Sequence, residues 1–104
     1  MANPKRGEVW LVDLGLAAKV RPCLVLSIPP TNDERVLVTV IAHTTNPRKT
    51  RFEVETNIRF LRSGVFDAQN LVTVPIATLI RKLGELDLSQ ISLIENTVRL
   101  WLGL

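Results

Sequence analysis

The order of the periodic segments constrains the fold of this chain most strongly. Short stretches rich in apolar and β-branched residues follow one another without an intervening helical pattern. Strand-terminating residues such as Gly15, Pro29 and Pro75 separate them. The pattern predicts strands at residues 9–14, 23–28, 36–42, 51–55 and 70–74, with a weaker one at 79–86.

The last segment has a different, helical period. Asp87 is suited to cap a helix, and Gln90 stands where a capping-box partner is expected. The helical stripe that follows comprises Leu88, Ile91, Glu95, Val98 and Leu102, with Ile94 and Trp101 beside it and Gly103 at its end. Because crossover helices are missing between the strands, an all-parallel α/β fold is excluded. We therefore predict a mainly β fold: a small, strongly bent β-barrel with a C-terminal amphipathic helix, in one domain spanning residues 1–104.

Composition limits the class of protein further. Apolar residues make up 46% of the 104, enough for a core without disulfides, and the single Cys23 lies in a strand pattern that predicts buried packing. Aromatic residues make up only 5% and tyrosine is absent, which argues against a base-stacking platform of the RRM type. No apolar stretch resembles a signal peptide or a membrane span, so we expect a cytoplasmic protein without membrane contact.

The charge distribution is compatible with a polyanionic partner. Thirteen Lys and Arg residues against ten Asp and Glu residues give a net charge of +3, which permits such a partner without requiring one. The segment 43–51 contains Arg48, Lys49 and Arg51 and no acidic residue. A solvated loop explains this cluster as well as a nucleic-acid contact does.

Two segments deliver polar groups suited to a phosphodiester. Arg21 precedes Pro22, which biases it toward extended backbone at a strand entrance, and its guanidinium can bind a phosphate bidentately. His43, Thr44 and Thr45 follow an apolar run; an imidazole can exchange a proton, and hydroxyls can donate to a phosphoryl oxygen. An exposed arginine, a structural histidine and turn threonines are the simpler alternatives.

Two further polar residues precede the strand at 70–74. Asp67 and Gln69 are positioned to read a base edge or to orient Arg21, although a polar turn explains them equally well. The chain has one His, one Cys and no clustered carboxylates, so we expect no metal and no cofactor. Residue chemistry alone therefore predicts a small β-barrel that is a candidate for nucleic-acid binding.

Several segments together resemble the MazF/PemK family of toxins. They are RGEVWLVDL at 6–14, RPCLVLS at 21–27, HTT at 43–45, QNLVTVP at 69–75 and LGEL at 83–86, so that the resemblance runs from about residue 6 to 102. It implies an SH3-like barrel and a homodimeric, metal-independent endoribonuclease, or mRNA interferase, of a toxin-antitoxin system. Such an enzyme cuts single-stranded RNA through attack by the 2′-OH, leaving a 2′,3′-cyclic phosphate. The implied protein partner is a cognate antitoxin that covers the RNA groove, in a complex that binds DNA.

The same resemblance assigns roles to residues. It implies that Arg21 and Thr44 are the catalytic pair. The RNA-binding set that we predict is Thr45, Lys19, Arg48, Lys49, Arg51, Asp67 and Gln69. The loop at 15–20 is shorter than in many members and lacks their His-Glu-Gln segment, and Asp67 and Gln69 stand where some members carry an arginine and an aspartate. Because His43 is the only histidine, we hypothesise that it supplies the proton transfer.

Two other classes of protein stay open. CcdB-like toxins share the barrel and helix but poison DNA gyrase, and their C-terminal end is loosely similar to residues 101–104 here, where Trp101 is a candidate anchor. A non-catalytic nucleic-acid-binding barrel is the other alternative. The ribonuclease is favoured because the Arg21-Pro22 and His43-Thr44-Thr45 segments resemble MazF, and a CcdB-like toxin needs neither segment.

Overall fold

The computed structural model describes residues 3–17 and 19–104. Its elements are β1 (Glu8–Asp13), β2 (Val20–Val25), β3 (Leu37–Thr44), β4 (Glu53–Glu55), β5 (Val65–Pro75), a 3₁₀ turn (Ile76–Thr78), β6 (Leu79–Glu85) and α1 (Leu88–Leu102). The strands form one antiparallel sheet in the order β4-β5-β3-β2-β1-β6. The mainly β fold with a C-terminal helix is confirmed. Within the described ranges the sheet is open between β4 and β6, where the sequence predicted a barrel.

Both faces of the sheet are apolar, because neighbouring side chains of a strand point to opposite sides. One face carries Leu24, Ile41 and Phe66, and α1 packs on it through Ile94 and Val98. The other face comprises Val12, Cys23, Val25, Val38, Val40, Ala42, Ile76 and Leu79. Cys23 is fully buried there, as predicted, and burial raises the pKa of its thiol to about 12. We call these the helix face and the far face.

The helix begins as its sequence predicts. The Asp87 carboxylate accepts a hydrogen bond from Gln90 N at 2.8 Å, and the Gln90 side chain accepts one from Asp87 N at 3.0 Å, which completes the capping box. Gly103 ends the helix in the left-handed conformation, with φ of 71°. The buried side of α1 is centred on Ile94 and Val98, whereas the ends of the predicted stripe at residues 88 and 102 are exposed because the sheet supports only the middle of the helix.

Two predicted strand boundaries were wrong, and both matter for the polar residues. β2 begins at Val20 and ends at Val25, so Arg21 lies inside a strand rather than before it. β5 begins at Val65 rather than at residue 70, because a register shift opposite residues 41–43 of β3 lets pairing continue beyond it. Asp67 and Gln69 consequently lie inside β5 and not in a polar turn.

Within the described part of the chain, no helix combines the length and hydrophobicity that crossing a membrane requires.

Candidate active site

Arg21 and Thr44 lie on one face of the sheet. β2 and β3 pair antiparallel with Cys23 opposite Ala42. Arg21 is two residues before Cys23 and Thr44 is two residues after Ala42, so alternation places both on the far face at the same end of the two strands. Both residues line a depression of about 240 Å³, which we call the catalytic depression after the role that the resemblance implies for them. The register of β2 and β3 thus brings together the two predicted catalytic residues.

The strand β5 contributes a second wall to the catalytic depression. Between Ile41 and His43 of β3 the register shifts so that β5 carries extra residues, and Asp67 and Asn70 line the depression. Asp67 Oδ1 accepts a hydrogen bond from Gln69 N at 3.0 Å, which fixes the carboxylate. Gln69 is exposed, and the side chain that joins Asp67 in the depression is Asn70 instead.

The loop between β3 and β4 forms the rim of the catalytic depression. Thr44 Oγ1 accepts a hydrogen bond from Asn46 N at 3.1 Å and keeps its own hydroxyl proton to donate. Glu53 of β4 accepts from the backbone N–H groups of Arg48 and Thr50, each at 2.9 Å. These two bonds hold the pKa of Glu53 below its ordinary value of 4.5 and tie the loop to β4. Asn46, Arg48 and Glu53 all line the depression.

The predicted RNA-binding residues divide between several places. Arg48 and Asp67 line the catalytic depression. Thr45 and Lys49 line a neighbouring one of about 480 Å³, where Lys49 has a left-handed backbone with φ of 62°. Arg51 instead lies over the Phe52 ring, 4.6 Å from its centroid.

Lys19 lies in the loop between β1 and β2, beside Ala18, which falls outside the described residues. Its backbone N–H donates to Gly15 O at 2.7 Å, its carbonyl accepts from Leu14 N at 2.9 Å, and its φ is 63°. The side chain is exposed, which is compatible with contact to a polyanion.

His43 lies on the opposite side of the sheet from Thr44. It is buried on the helix face, with its ring edge against Phe66 at a centroid distance of 5.1 Å. Burial lowers the pKa of the imidazole below its ordinary value of 6.5, so it is neutral at physiological pH. His43 does not line the catalytic depression, but it lines another cavity of about 390 Å³ together with Arg21 and Thr45. Its proton-transfer role stays a prediction.

Sequence reasoning missed Asn70, Asn46 and Glu53 as residues of the site. In the sequence, Asn70 is interpreted as the first residue of an apolar strand. The signal that could have identified it as a site residue is the pair of amide side chains, Gln69 and Asn70, between two apolar segments. In the sequence, Glu53 is interpreted as a residue on the charged face of an alternating strand. Only the fold shows that its carboxylate binds the backbone of the loop between β3 and β4.

The Trp101 ring meets Phe52 edge-on, with 5.2 Å between the ring centroids, and 42% of the Trp101 surface is exposed.

In residues 3–17 and 19–104, no group of three or more His, Cys, Asp or Glu side chains is arranged to hold a metal ion.

The fold and the site define a class: a small antiparallel β protein with a C-terminal helix and a polar depression in which a guanidinium, a hydroxyl and an amide converge. A family model for PemK-like, MazF-like toxins of type II toxin-antitoxin systems matches residues 5–102. The chain belongs to this toxin family.

Solved structures share the fold along nearly the whole chain. An endoribonuclease in complex with its cognate antitoxin, from a mycobacterial species, is 28% identical, with a TM-score of 0.82 and coverage of 97% of this chain and 96% of that one. The Mycobacterium tuberculosis toxin MazF-mt6 is 26% identical, with a TM-score of 0.79 and coverage of 93% and 97%. A MazE-MazF complex from Deinococcus radiodurans is 21% identical, with a TM-score of 0.83 and coverage of 100% and 99%, which supports the fold alone.

Proposed function

We propose that this chain is the toxin of a toxin-antitoxin pair and acts as a metal-independent, sequence-selective endoribonuclease on single-stranded messenger RNA. The observation that carries the proposal is the convergence of Arg21 and Thr44 in one depression of a MazF-like fold. The endoribonuclease relatives support the activity, which is attributed here to a single toxin domain spanning residues 1–104.

In the proposed mechanism Arg21 and Thr44 bind the scissile phosphate. The guanidinium neutralises the charge that grows on the phosphoryl oxygens, and the Thr44 hydroxyl donates a hydrogen bond to one of them. The 2′-OH of the substrate loses its proton to a base and attacks phosphorus, and the bond to the 5′-oxygen breaks. The departing 5′-oxygen takes a proton from water or from the protonated base, which produces a 2′,3′-cyclic phosphate and a free 5′-hydroxyl. DNA lacks this nucleophile and is therefore expected to remain intact.

Proton transfer has three candidates in the proposal. Asp67 is the carboxylate of the depression that is not tied to the rim loop, and it is placed to accept the 2′-OH proton or to orient Arg21. Glu53 accepts two backbone hydrogen bonds, which lower its pKa below its ordinary value of 4.5 and weaken it as a base relative to a free glutamate. His43 remains the alternative predicted from the sequence; it lies outside the catalytic depression, on the helix face, where it lines a cavity of about 390 Å³ together with Arg21.

The proposal includes a cytoplasmic homodimer and a cognate antitoxin. The mycobacterial relative in complex with its cognate antitoxin supports the antitoxin, and the basic rim at Arg48 and Lys49 suits an acidic antitoxin tail. Exposed large apolar side chains, among them Ile28, Val36 and Ile80, support a dimer. DNA binding by the toxin-antitoxin complex is proposed on the resemblance alone.

The test is incubation of the purified protein with a long single-stranded RNA in EDTA. Wild type should give discrete fragments with cyclic-phosphate ends, and Arg21→Ala should give none. Arg35→Ala, an exposed arginine before β3 at the end of the sheet remote from Thr44, is the matched control and should cut normally. RNA that stays intact with wild type would contradict the proposal, and inhibition of gyrase supercoiling would then favour the CcdB-like alternative.

A further inference from the structure

A second groove lies on the helix face of the sheet, at the end of the sheet where β2 begins. Its floor is a row of side chains from three neighbouring strands, with Leu11 of β1 paired to Pro22 of β2 on one side and to Arg81 of β6 on the other. The segment that contains Phe60 and Arg62 closes the groove, which has a volume of about 390 Å³. We call it the Phe60 groove.

Phe60 is held in place by a glycine. A Cβ on Gly84 of β6 would lie 2.5 Å from the Phe60 ring, so the ring rests directly on the backbone of that strand. The side chain nevertheless remains 38% exposed. A fixed, half-exposed aromatic ring has the geometry of a stacking surface for one base, since every base offers a π-face. This single ring does not need the multi-aromatic platform that the composition excludes.

The charged side chains that line the Phe60 groove are all positive. Arg21, Arg62 and Arg81 line it, and the described lining residues include no Asp or Glu. Arg21 also lines the catalytic depression, so the two cavities share this residue. Arginines beside an aromatic ring complement a nucleotide strand, which carries phosphates and flat bases in alternation.

We propose that the Phe60 groove binds a nucleotide of the RNA that flanks the scissile phosphate, an inference that rests on the proposed ribonuclease function. The base of that nucleotide stacks on Phe60, and Arg62 and Arg81 bind the adjoining phosphates. Arg21 connects this subsite to the bond that is cut. The RNA is thus bound both in the Phe60 groove and in the catalytic depression. Binding at these two places holds the scissile phosphodiester at Thr44.

The test measures binding separately from cleavage. The probe is a fluorescent single-stranded RNA with 2′-O-methyl groups throughout, which removes the nucleophile, and affinity is measured over a range of salt concentrations. Phe60→Leu keeps an apolar side chain against Gly84 but loses the π-face. Trp101→Leu removes an aromatic ring of similar exposure on α1, and Arg35→Gln matches Arg62→Gln and Arg81→Gln.

We expect Phe60→Leu to weaken binding by about tenfold with an unchanged salt dependence, because stacking is lost and no charge changes. Arg62→Gln and Arg81→Gln should each weaken binding and reduce the slope of log affinity against log salt by about 0.7. The controls should bind as wild type does. Circular dichroism of each variant confirms that it is folded.

Three results would overturn the inference. Folded groove variants that bind as tightly as wild type, while wild type still cuts RNA, would remove the subsite and leave the proposed function standing. A shift in oligomeric state on Phe60→Leu with unchanged RNA affinity would identify the groove as an interface between copies of this chain. A wild-type protein that neither binds nor cuts RNA would remove the proposed function as well.

Discussion

Gly64 lies against the backbone of Thr44 so closely that a Cβ added to Gly64 would come within 2.2 Å of the Thr44 carbonyl oxygen. The same Cβ would lie 2.8 Å from His43 Cε1. The start of β5 therefore packs directly on the end of β3 that carries the hydroxyl of the catalytic depression. This contact and the hydrogen bond that Thr44 Oγ1 accepts from Asn46 N both fix the position of Thr44.

Gly64→Ala should therefore displace the end of β3. Backbone cannot yield as a flexible side chain does, so we expect a loss of about 1–3 kcal/mol in the free energy of unfolding. RNA cleavage should fall by more than substrate binding, because Thr44 moves away from the phosphate. Urea denaturation and cleavage rates measure the two effects. Ser63→Ala, at the exposed neighbouring position, is the control, and a Gly64→Ala protein as stable and active as wild type would refute this role.

His43 should make stability depend on pH. Its folded pKa lies below the unfolded value of 6.5 because burial disfavours the imidazolium. Unfolded chains therefore bind more protons in the interval between the two pKa values. The free energy of unfolding should be highest above pH 6.5, fall as the pH drops below it, and level off below the folded pKa. His43→Gln should flatten this interval in urea titrations, and an unchanged pH dependence would contradict the assignment.

The same variant tests the catalytic hypothesis for His43. Since the imidazole lies on the helix face, we expect His43→Gln to keep the shape of the pH profile of RNA cleavage while lowering the amount of folded protein. Asp67→Asn should instead alter that profile, because this carboxylate lines the catalytic depression. A profile that changes with His43→Gln and not with Asp67→Asn would assign proton transfer to the histidine.

The capping box should contribute measurably to stability. Asp87→Ala removes the acceptor for Gln90 N, and a lost N-cap costs about 1 kcal/mol. Thermal or urea unfolding monitored by far-ultraviolet circular dichroism gives the value. Ser92→Ala, an exposed position further along α1, serves as the control and should change stability far less. Equal losses in the two variants would show that the cap is not the cause.

The parts of the fold that follow local rules could be predicted from the sequence. The N-cap at Asp87, the αL glycine at 103 and the apolar strands depend on neighbours along the chain. The register shift opposite residues 41–43 depends on pairing between β3 and β5, which no local pattern encodes. That shift places Asp67 and Asn70 in the site. Sequence reasoning identified Asp67 as a candidate but placed it before the strand instead of inside it, and it missed Asn70.

The separation of His43 from Thr44 has a similar origin. Adjacent residues on a strand point to opposite faces, so a motif read as one unit, His43-Thr44-Thr45, is divided by the sheet. The pairing of Arg21 with Thr44 could be anticipated only through the resemblance, since about twenty residues separate them and the β2–β3 register alone brings them together.

The decisive measurement is the single-turnover cleavage rate of a long single-stranded RNA in EDTA by wild type, Arg21→Ala, Thr44→Val and the double variant. If the two residues act on one phosphate, each single change should slow cleavage by about 100-fold or more, and the double variant should be far less impaired than the product of the two. All proteins should retain the folded-state circular dichroism of wild type. Cleavage by the folded single variants at the wild-type rate would contradict the assignment of the active site to Arg21 and Thr44.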